Sequence, residues 1–345
     1  VDNVTVILYR RINDERCNQV EKELRSLTEI FPHRLVVIDV DSSEALQQAY
    51  AEEAPVVEIG PYRLTRNFTR QDLLVALGAD QDRRRHLENV EDRRYQERLQ
   101  RGHTLTGNDR FSYWLARRYM VIFNLFVFLY VGLPFLAPVL LHSGFNGAAN
   151  VIYKIYSPLC HQMAFRSWFL FGEQAVYPRA MAGINGLHSY EEITGLDSMD
   201  VISAKNFIGD EVHGFKVALC ERDVAIYGGI LLFGLIFMIT GMKIKPLPWY
   251  LWLFVGIIPI GLDGVSQMPS ILGWMANWFP WLPLRESTPL LRTITGALFG
   301  ITTAWYGYPY IEESFMESRK IVEKKMAVIS QLDKQADIAP DSSIT

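Results

Sequence analysis

A chain of 345 residues is long enough for two domains. Its hydrophobic fraction of 49% and mean hydropathy of +0.07 match an ordinary soluble protein, but these averages join two unlike halves: residues 1–118 are rich in Arg, Asp and Glu, whereas 119–311 hold long uncharged runs and most of the Trp and Phe. A formal net charge of −4 points to no particular partner, and the Arg-rich stretch 83–101 is interleaved with acids and lacks aromatic platforms, so no nucleic acid is expected.

The chain opens on a strand-like segment and not on a basic and then apolar leader, so the first membrane segment is expected to act as its own insertion signal. Residues 4–9 (Val-Thr-Val-Ile-Leu-Tyr) form a β-branched apolar run of strand length. Residues 14–31 read as an amphipathic helix, with Val20, Leu24 and Leu27 at helical spacing. A strand at 35–40 and a helix at 43–52 follow. A hairpin then pairs 55–59 with 62–64 across Gly60-Pro61, and a helix at 69–77 starts at the cap residue Thr69.

The order βαβαββα over residues 1–80 resembles the thioredoxin fold, and its glutaredoxin-like branch in particular. Ala54-Pro55 falls where that fold carries a cis proline. The resemblance implies two cysteines flanking two residues at the start of the first helix, where the helix dipole favours a thiolate. The window here reads Asp14-Glu15-Arg16-Cys17, so only the second cysteine is present. A single thiol cannot run dithiol exchange, and the adjacent acids oppose a low thiol pKa. Cys17 and Pro55 thus mark a residual redox position in a degenerate, cytoplasmic domain with a structural or docking role, Cys17 being a buried side chain. Residues 81–118 read as a charged helical linker of mixed sign.

Four apolar segments follow, at 119–141, 224–242, 247–267 and 289–310, with Trp and Tyr at their ends; each is long enough to cross a bilayer. The expected class is therefore an α/β thioredoxin-like domain followed by an all-α integral membrane domain of four transmembrane helices at 119–311. Basic residues set the direction. Arg110, Arg117 and Arg118 precede the first span, Lys243 and Lys245 lie between the second and third, and Arg319, Lys320, Lys324 and Lys325 follow the fourth. All three sites fall on one side, which makes both termini cytoplasmic, with 312–345 as a cytoplasmic tail. The long connection at 142–222 and the one at 268–288 then lie outside, and the former reads as a small ordered cap. The localisation expected is the cell membrane, multi-pass, in contact with membrane lipids.

Polar residues converge at the outer ends of these segments. His161, Gln162 and Arg166 sit in the cap. Arg222 and Asp223 sit where the chain enters the second span. Asp263 and Gln267 share a helical face at the end of the third, and Arg292 begins the fourth. Ionisable groups at such a depth face the bundle interior and pair or bind something; Asp263 with Arg292, or with Arg222, is the expected pair. Cys160-His-Gln with Arg166-Ser, then Cys220-x-Arg222, then Leu262-Asp-Gly with Gln267, then Arg285-Glu-Ser-Thr with Arg292 and Thr295-Gly resemble a family of predicted bacterial and archaeal membrane proteins of unknown function. The resemblance covers about residues 120–310 and supplies no activity. Where that family reads Cys-x-Arg-Cys, this chain has Cys220-Glu-Arg-Asp223.

Cys160 and Cys220 face an oxidising compartment in this topology, as a disulfide or as two thiols. A zinc site of Cys160, His161, Cys220 and Asp223 is the alternative, made awkward by the adjacency of Cys160 and His161. No other cofactor is expected, and no residue is assigned a catalytic role. Three functions fit. The first is an accessory or scaffold subunit of a larger membrane complex, electron transport included, docking on other subunits. The second is a membrane-embedded enzyme or carrier for an anionic lipid-linked substrate, since arginines beside a carboxylate and a histidine suit anion binding with proton transfer. The third is a thiol-redox membrane protein, which the lone Cys17 opposes.

Overall fold

The alternation of apolar residues in β1 (Val4–Arg10) places Val4, Val6 and Leu8 on one face of a sheet and Tyr9 on the other. A computed structural model describes residues 4–65, 67–89, 104–268 and 285–338. They form two units, residues 1–118 with 313–345, and residues 119–312.

In the first unit, α1 (Glu15–Leu27) carries the chain across to β2 (His33–Asp39), which pairs in parallel with β1. After α2 (Glu44–Tyr50), β3 (Val56–Ile59) pairs antiparallel with β1, and β4 (Tyr62–Thr65) pairs antiparallel with β3. The result is a mixed four-stranded sheet of order β2-β1-β3-β4, with its elements in the sequence predicted. The Ala54–Pro55 peptide is cis. α3 (Arg70–Asn89) starts at a reciprocal cap, Thr69 and Asp72 bonding each other's backbone amides at 2.7 and 3.4 Å, and runs on into the predicted linker. Linker residues 90–103 lie outside the described residues.

α1 and α3 cover one face of the sheet through Val20, Leu24, Leu27, Leu73 and Leu77. α2 has only seven residues and leaves much of the opposite face open. Residues 313–338, read from sequence as a tail, complete that face. Val328 packs with Tyr9, Val36, Ile38, Leu46 and Val56. Lys324 pairs with Glu58 at 2.7 Å and Lys325 with Asp109 at 2.6 Å. Glu323 accepts from Ser43 at 2.9 Å and Tyr113 at 3.1 Å.

The second unit holds most of α4 (Gly107–His142), then α5 (Asn146–Tyr156). β5 (Ser167–Leu170), α6 (Tyr190–Thr194), α7 (Val201–Asn206), β6 (Gly209–Asp210) and β7 (Gly214–Cys220) follow. The strands make a three-stranded antiparallel sheet of order β5-β7-β6 over a core of Phe165, Phe169, Tyr177, Tyr190 and Ala204. We refer to this substructure as the cap. α8 (Glu221–Ile239) begins directly after β7 with Cys220 as its N-cap. In α9 (Trp249–Val265) a π-helical stretch at Trp252–Ile257 precedes Pro259, whose ring and missing N–H disturb the regular ladder. α10 (Pro289–Ile338) contains the expected segment 289–310.

Among the described residues, two helices, α4 and α8, are long and apolar enough to cross a membrane, whereas α9 is apolar but shorter. Their apolar residues are exposed and not packed in a core: Phe126, Phe128 and Leu129 on α4, and Leu232, Ile236 and Ile239 on α8. Water does not tolerate apolar surface on this scale; hydrocarbon does.

The packing of Val328 yields a specific expectation. Val328→Asp buries a carboxylate against Tyr9 and Val36 and should destabilise the α/β unit by about 2–4 kcal/mol. Hydrogen exchange checks it: β1 and β2 peptides should lose protection while β7 peptides keep theirs.

Candidate functional site

α8 and α10 pack backbone against backbone. A Cβ at Gly300 would lie 2.0 Å from the Ile226 carbonyl oxygen, and one at Gly296 would lie 2.8 Å from that of Arg222. Only glycine permits this approach. It brings together the first turns of the two helices, which carry Glu221, Arg222 and Arg292. α9 ends beside them. Asp263 is buried on its last turn, and Gln267, four residues on, donates to the Asp263 carbonyl at 2.6 Å.

Glu286, just before α10, is the most heavily shared group. Its fully buried carboxylate takes Arg166 at 2.7 Å and Arg179 at 3.2 Å, and also Arg292. Arg292 continues to Glu221 at 3.3 Å. Asp263 takes Arg285 at 3.3 Å and Arg222. The Gln267 side-chain oxygen accepts from Arg166 and Arg292, each at 3.5 Å, joining the two parts. Among the described residues the network therefore joins five guanidiniums to three carboxylates, an excess of two positive charges. Residues 269–284, which link Gln267 to Arg285, contain no ionisable side chain and add no compensating charge.

The arginines are not equally deep. Side-chain exposure is 3% for Arg292 and 5% for Arg179, but 21% for Arg166, 25% for Arg222 and 39% for Arg285. The arrangement is a mouth of three part-exposed guanidiniums over a floor of buried ion pairs. Among the described residues, two buried atoms of this network have no hydrogen-bond partner, Arg222 Nε and Glu221 Oε1. Chemically, such a mouth can hold an anion with more than one oxygen.

Of the residues singled out from sequence, Arg166, Arg222, Asp263, Gln267 and Arg292 meet in this network. Asp263 pairs with Arg222, and Arg292 turns instead to Glu286 and Glu221. Gln162 lies elsewhere. With φ +54° it turns its amide inward to donate to the carbonyls of Tyr153 at 3.0 Å and Ala218 at 2.9 Å, locking α5 to β7. His161 is exposed. Four network members were not among the sequence candidates. Arg285 and Glu286 stand in the motif beside Arg292, and Glu221 stands between Cys220 and Arg222, so their proximity was a signal. Arg179, inside the cap loop, carried none.

Asp223 belongs with the cysteines. The sulfurs of Cys160 and Cys220 and a carboxylate oxygen of Asp223 all lie within 4.8 Å of one another. Both cysteines are free thiols here. The Cys220 amide donates to Cys160 Sγ at 3.3 Å, and the Asp223 amide to Cys220 Sγ at 3.5 Å. The Cys220 thiol hydrogen-bonded to Cys160 holds Cys160 below the ordinary thiol range, and the same bond together with burial pushes Cys220 well above it. Nearby, Lys216 is fully buried, donating to the Gln162 carbonyl at 2.8 Å and to the Lys205 carbonyl. Burial pushes its pKa from 10.5 down to about 7, with the Cys160 charge acting the other way.

In the α/β unit, Cys17 lies in the first turn of α1, where Asp14 caps the Arg16 and Cys17 amides. The thiol is fully buried, and that burial raises its pKa. Pro55 forms the cis peptide with Ala54.

Comparison with known proteins agrees with a membrane location. Residues 210–306 match the model of a family described as "Predicted membrane protein (DUF2085)". The matched range runs from β6 into α10 and takes in Glu221, Arg222, Asp263, Glu286 and Arg292. A protein of Methanocaldococcus jannaschii, described as uncharacterized, is 26% identical over 215 residues, 60% of this chain and all of the relative. No solved structure matches. The chain is thus similar to membrane proteins without a described activity, and α4 and α8 support the same location.

Two measurements follow from these thiols and this lysine. Between pH 7 and 10.5 the unfolded chain holds a proton on Lys216 that the folded chain has released. The stability of the cap should therefore rise with pH across that window, by up to about 1.4 kcal/mol per pH unit, and be independent of this group below it. Urea unfolding of the cap at pH 7 to 9 should show the slope, and Lys216→Met should remove it; an equal slope in the variant would count against a neutral Lys216. For Cys17, iodoacetamide at pH 8 should label it only after unfolding, as read by peptide mass spectrometry. Rapid labelling of the native chain would mean an accessible thiolate.

Proposed function

We propose that this chain is a multi-pass membrane protein that binds an anionic headgroup at the outer ends of its helices, as an enzyme or carrier for a lipid-linked substrate. The observation that carries this reading is the surplus of two guanidinium charges, held where a structural lock would need none. A lock between helices is most stable when its charges balance and its lone pairs are filled. Here the surplus lies at the part-exposed mouth formed by Arg166, Arg222 and Arg285, and among the described residues Arg222 Nε has no hydrogen-bond partner.

The membrane setting favours an amphiphile. Leu262 and Val265 are exposed on either side of buried Asp263, and Leu290 and Ile294 are exposed on either side of buried Arg292. The outward face of both helices is thus apolar at the level of the mouth. In our reading α4, α8, α9 and the first part of α10 each cross the membrane. The basic residues Arg117, Arg118, Lys243, Lys245 and Lys320 then mark the cytoplasmic side. The element and strand order of the α/β unit support reading it as a thioredoxin-like domain, serving as a cytoplasmic docking domain and not as an oxidoreductase, because its one thiol is buried. That second role keeps an accessory-subunit function open to the same chain.

Dioctanoyl phosphatidic acid is a suitable probe, titrated onto the detergent-solubilised chain. Arg222→Gln with Arg285→Gln should weaken binding by roughly 10- to 100-fold for each charge-assisted bond of about 1.5–3 kcal/mol that is lost. Asp263→Asn should behave oppositely. It removes the competing carboxylate, so binding should hold or tighten while thermal stability drops by about 3–5 kcal/mol. If no saturable binding is seen in the wild type, the network is an assembly lock.

A further inference from the structure

We propose that Cys160, Cys220 and Asp223 form a binding site for a thiophilic divalent metal ion of the zinc class. The site is separate from the arginine network and does not depend on the headgroup reading.

The donor set and its spacing suit the ion. Two thiolate sulfurs and a carboxylate oxygen are ordinary zinc donors, and a tetrahedral ion with bonds of about 2.0–2.3 Å sets its ligand atoms about 3.3–3.8 Å apart. The three donors already lie within 4.8 Å of one another, so small side-chain rotations close the triangle. They come from two well-held places. Cys160 follows the end of α5 and packs with Tyr153, Tyr156, Ala218 and Leu219. Cys220 is the N-cap of α8, and Asp223, three residues on, lies one turn along on the same side. Backbone N–H groups already point at both sulfurs, from Cys220 to Cys160 at 3.3 Å and from Asp223 to Cys220 at 3.5 Å. Such outer bonds stabilise thiolate ligands.

The set also states what the ion lacks. Exposed His161 is not in the cluster, so three protein ligands leave a fourth position for water or a substrate atom. Two thiolates and a carboxylate with one divalent ion leave a net charge of −1. The ligands at 220 and 223 bracket Glu221 and Arg222. Metal binding would therefore fix the turn of α8 that supplies two members of the arginine network.

Cobalt(II) tests the assignment, because thiolate–cobalt charge transfer and tetrahedral d–d bands report donor type and geometry directly. The full chain, purified in detergent and reduced, should bind one cobalt per chain with both sets of bands, and zinc should displace it. Cys160→Ser and Cys220→Ser should lose the charge-transfer band. Asp223→Cys should bind with a stronger one, since a third thiolate replaces the carboxylate. That variant keeps the test decisive if the serine variants fail to fold. The proposal is overturned if the reduced wild type and Asp223→Cys both lack the band, or if the band survives Cys220→Ser. It is also overturned if non-reducing peptide maps show the native protein fully bridged between Cys160 and Cys220.

Discussion

The membrane unit depends on the burial of one carboxylate. Glu286 is withdrawn from solvent and accepts from three guanidiniums, two supplied by the cap and one by α10. A buried carboxylate facing a single cation would be costly, because attraction in a low dielectric must offset the desolvation of both ions. Three guanidiniums over-neutralise it, and the excess is passed on: Arg292 reaches Glu221, while Gln267 contacts Arg166 and Arg292 and bonds back to Asp263. The cap, α8, α9 and α10 are therefore positioned by a chain of charge compensation that starts at Glu286. Take that carboxylate away and Arg166, Arg179 and Arg292 would face one another without the anion they share.

The α/β unit follows the opposite rule. Its sheet is held by apolar layers on both faces, with ion pairs such as Lys324–Glu58 only at the margin. Cys17 belongs to that core. Asp14 satisfies the helix amides that would otherwise stabilise a thiolate, and burial removes the water that an ionised sulfur needs. The α/β unit thus carries Cys17 as a packing residue.

Much of this was legible in the sequence because it rests on local periodicity. Val20, Leu24 and Leu27 announce the buried stripe of α1, and the uncharged runs announce α4 and α8. The convergence of Arg166, Arg222, Asp263, Gln267 and Arg292 was readable from membrane depth alone. The partner choice within that group was not. Arg292 lies as near in sequence to Thr295 as to anything that pairs with it, and its turn toward Glu286 and Glu221 is set by how closely Gly296 and Gly300 let α10 approach α8. Gln162 looked like a site residue because it is polar beside Cys160 and His161. Its left-handed backbone gives it to two carbonyls instead. Residues 313–338 read as a tail because nothing local shows that Val328 faces Val36 and Ile38.

One turn of helix then carries two kinds of chemistry. Along α8, Cys220 and Asp223 turn toward Cys160, while Glu221 and Arg222 turn toward α9 and α10. The alternation follows from helical geometry, because residues three apart share a side and those between them do not. Any change that moves the Cys220–Asp223 edge must therefore rotate Glu221 and Arg222 with it. The arginine mouth and the thiol cluster are distinct in their donors and in their charge, yet a single turn of helix holds both. A shift of that turn would be felt at Asp263, since Arg222 pairs with this buried carboxylate. Binding at either place should thus bias the other through position, with no need for a path across the bilayer.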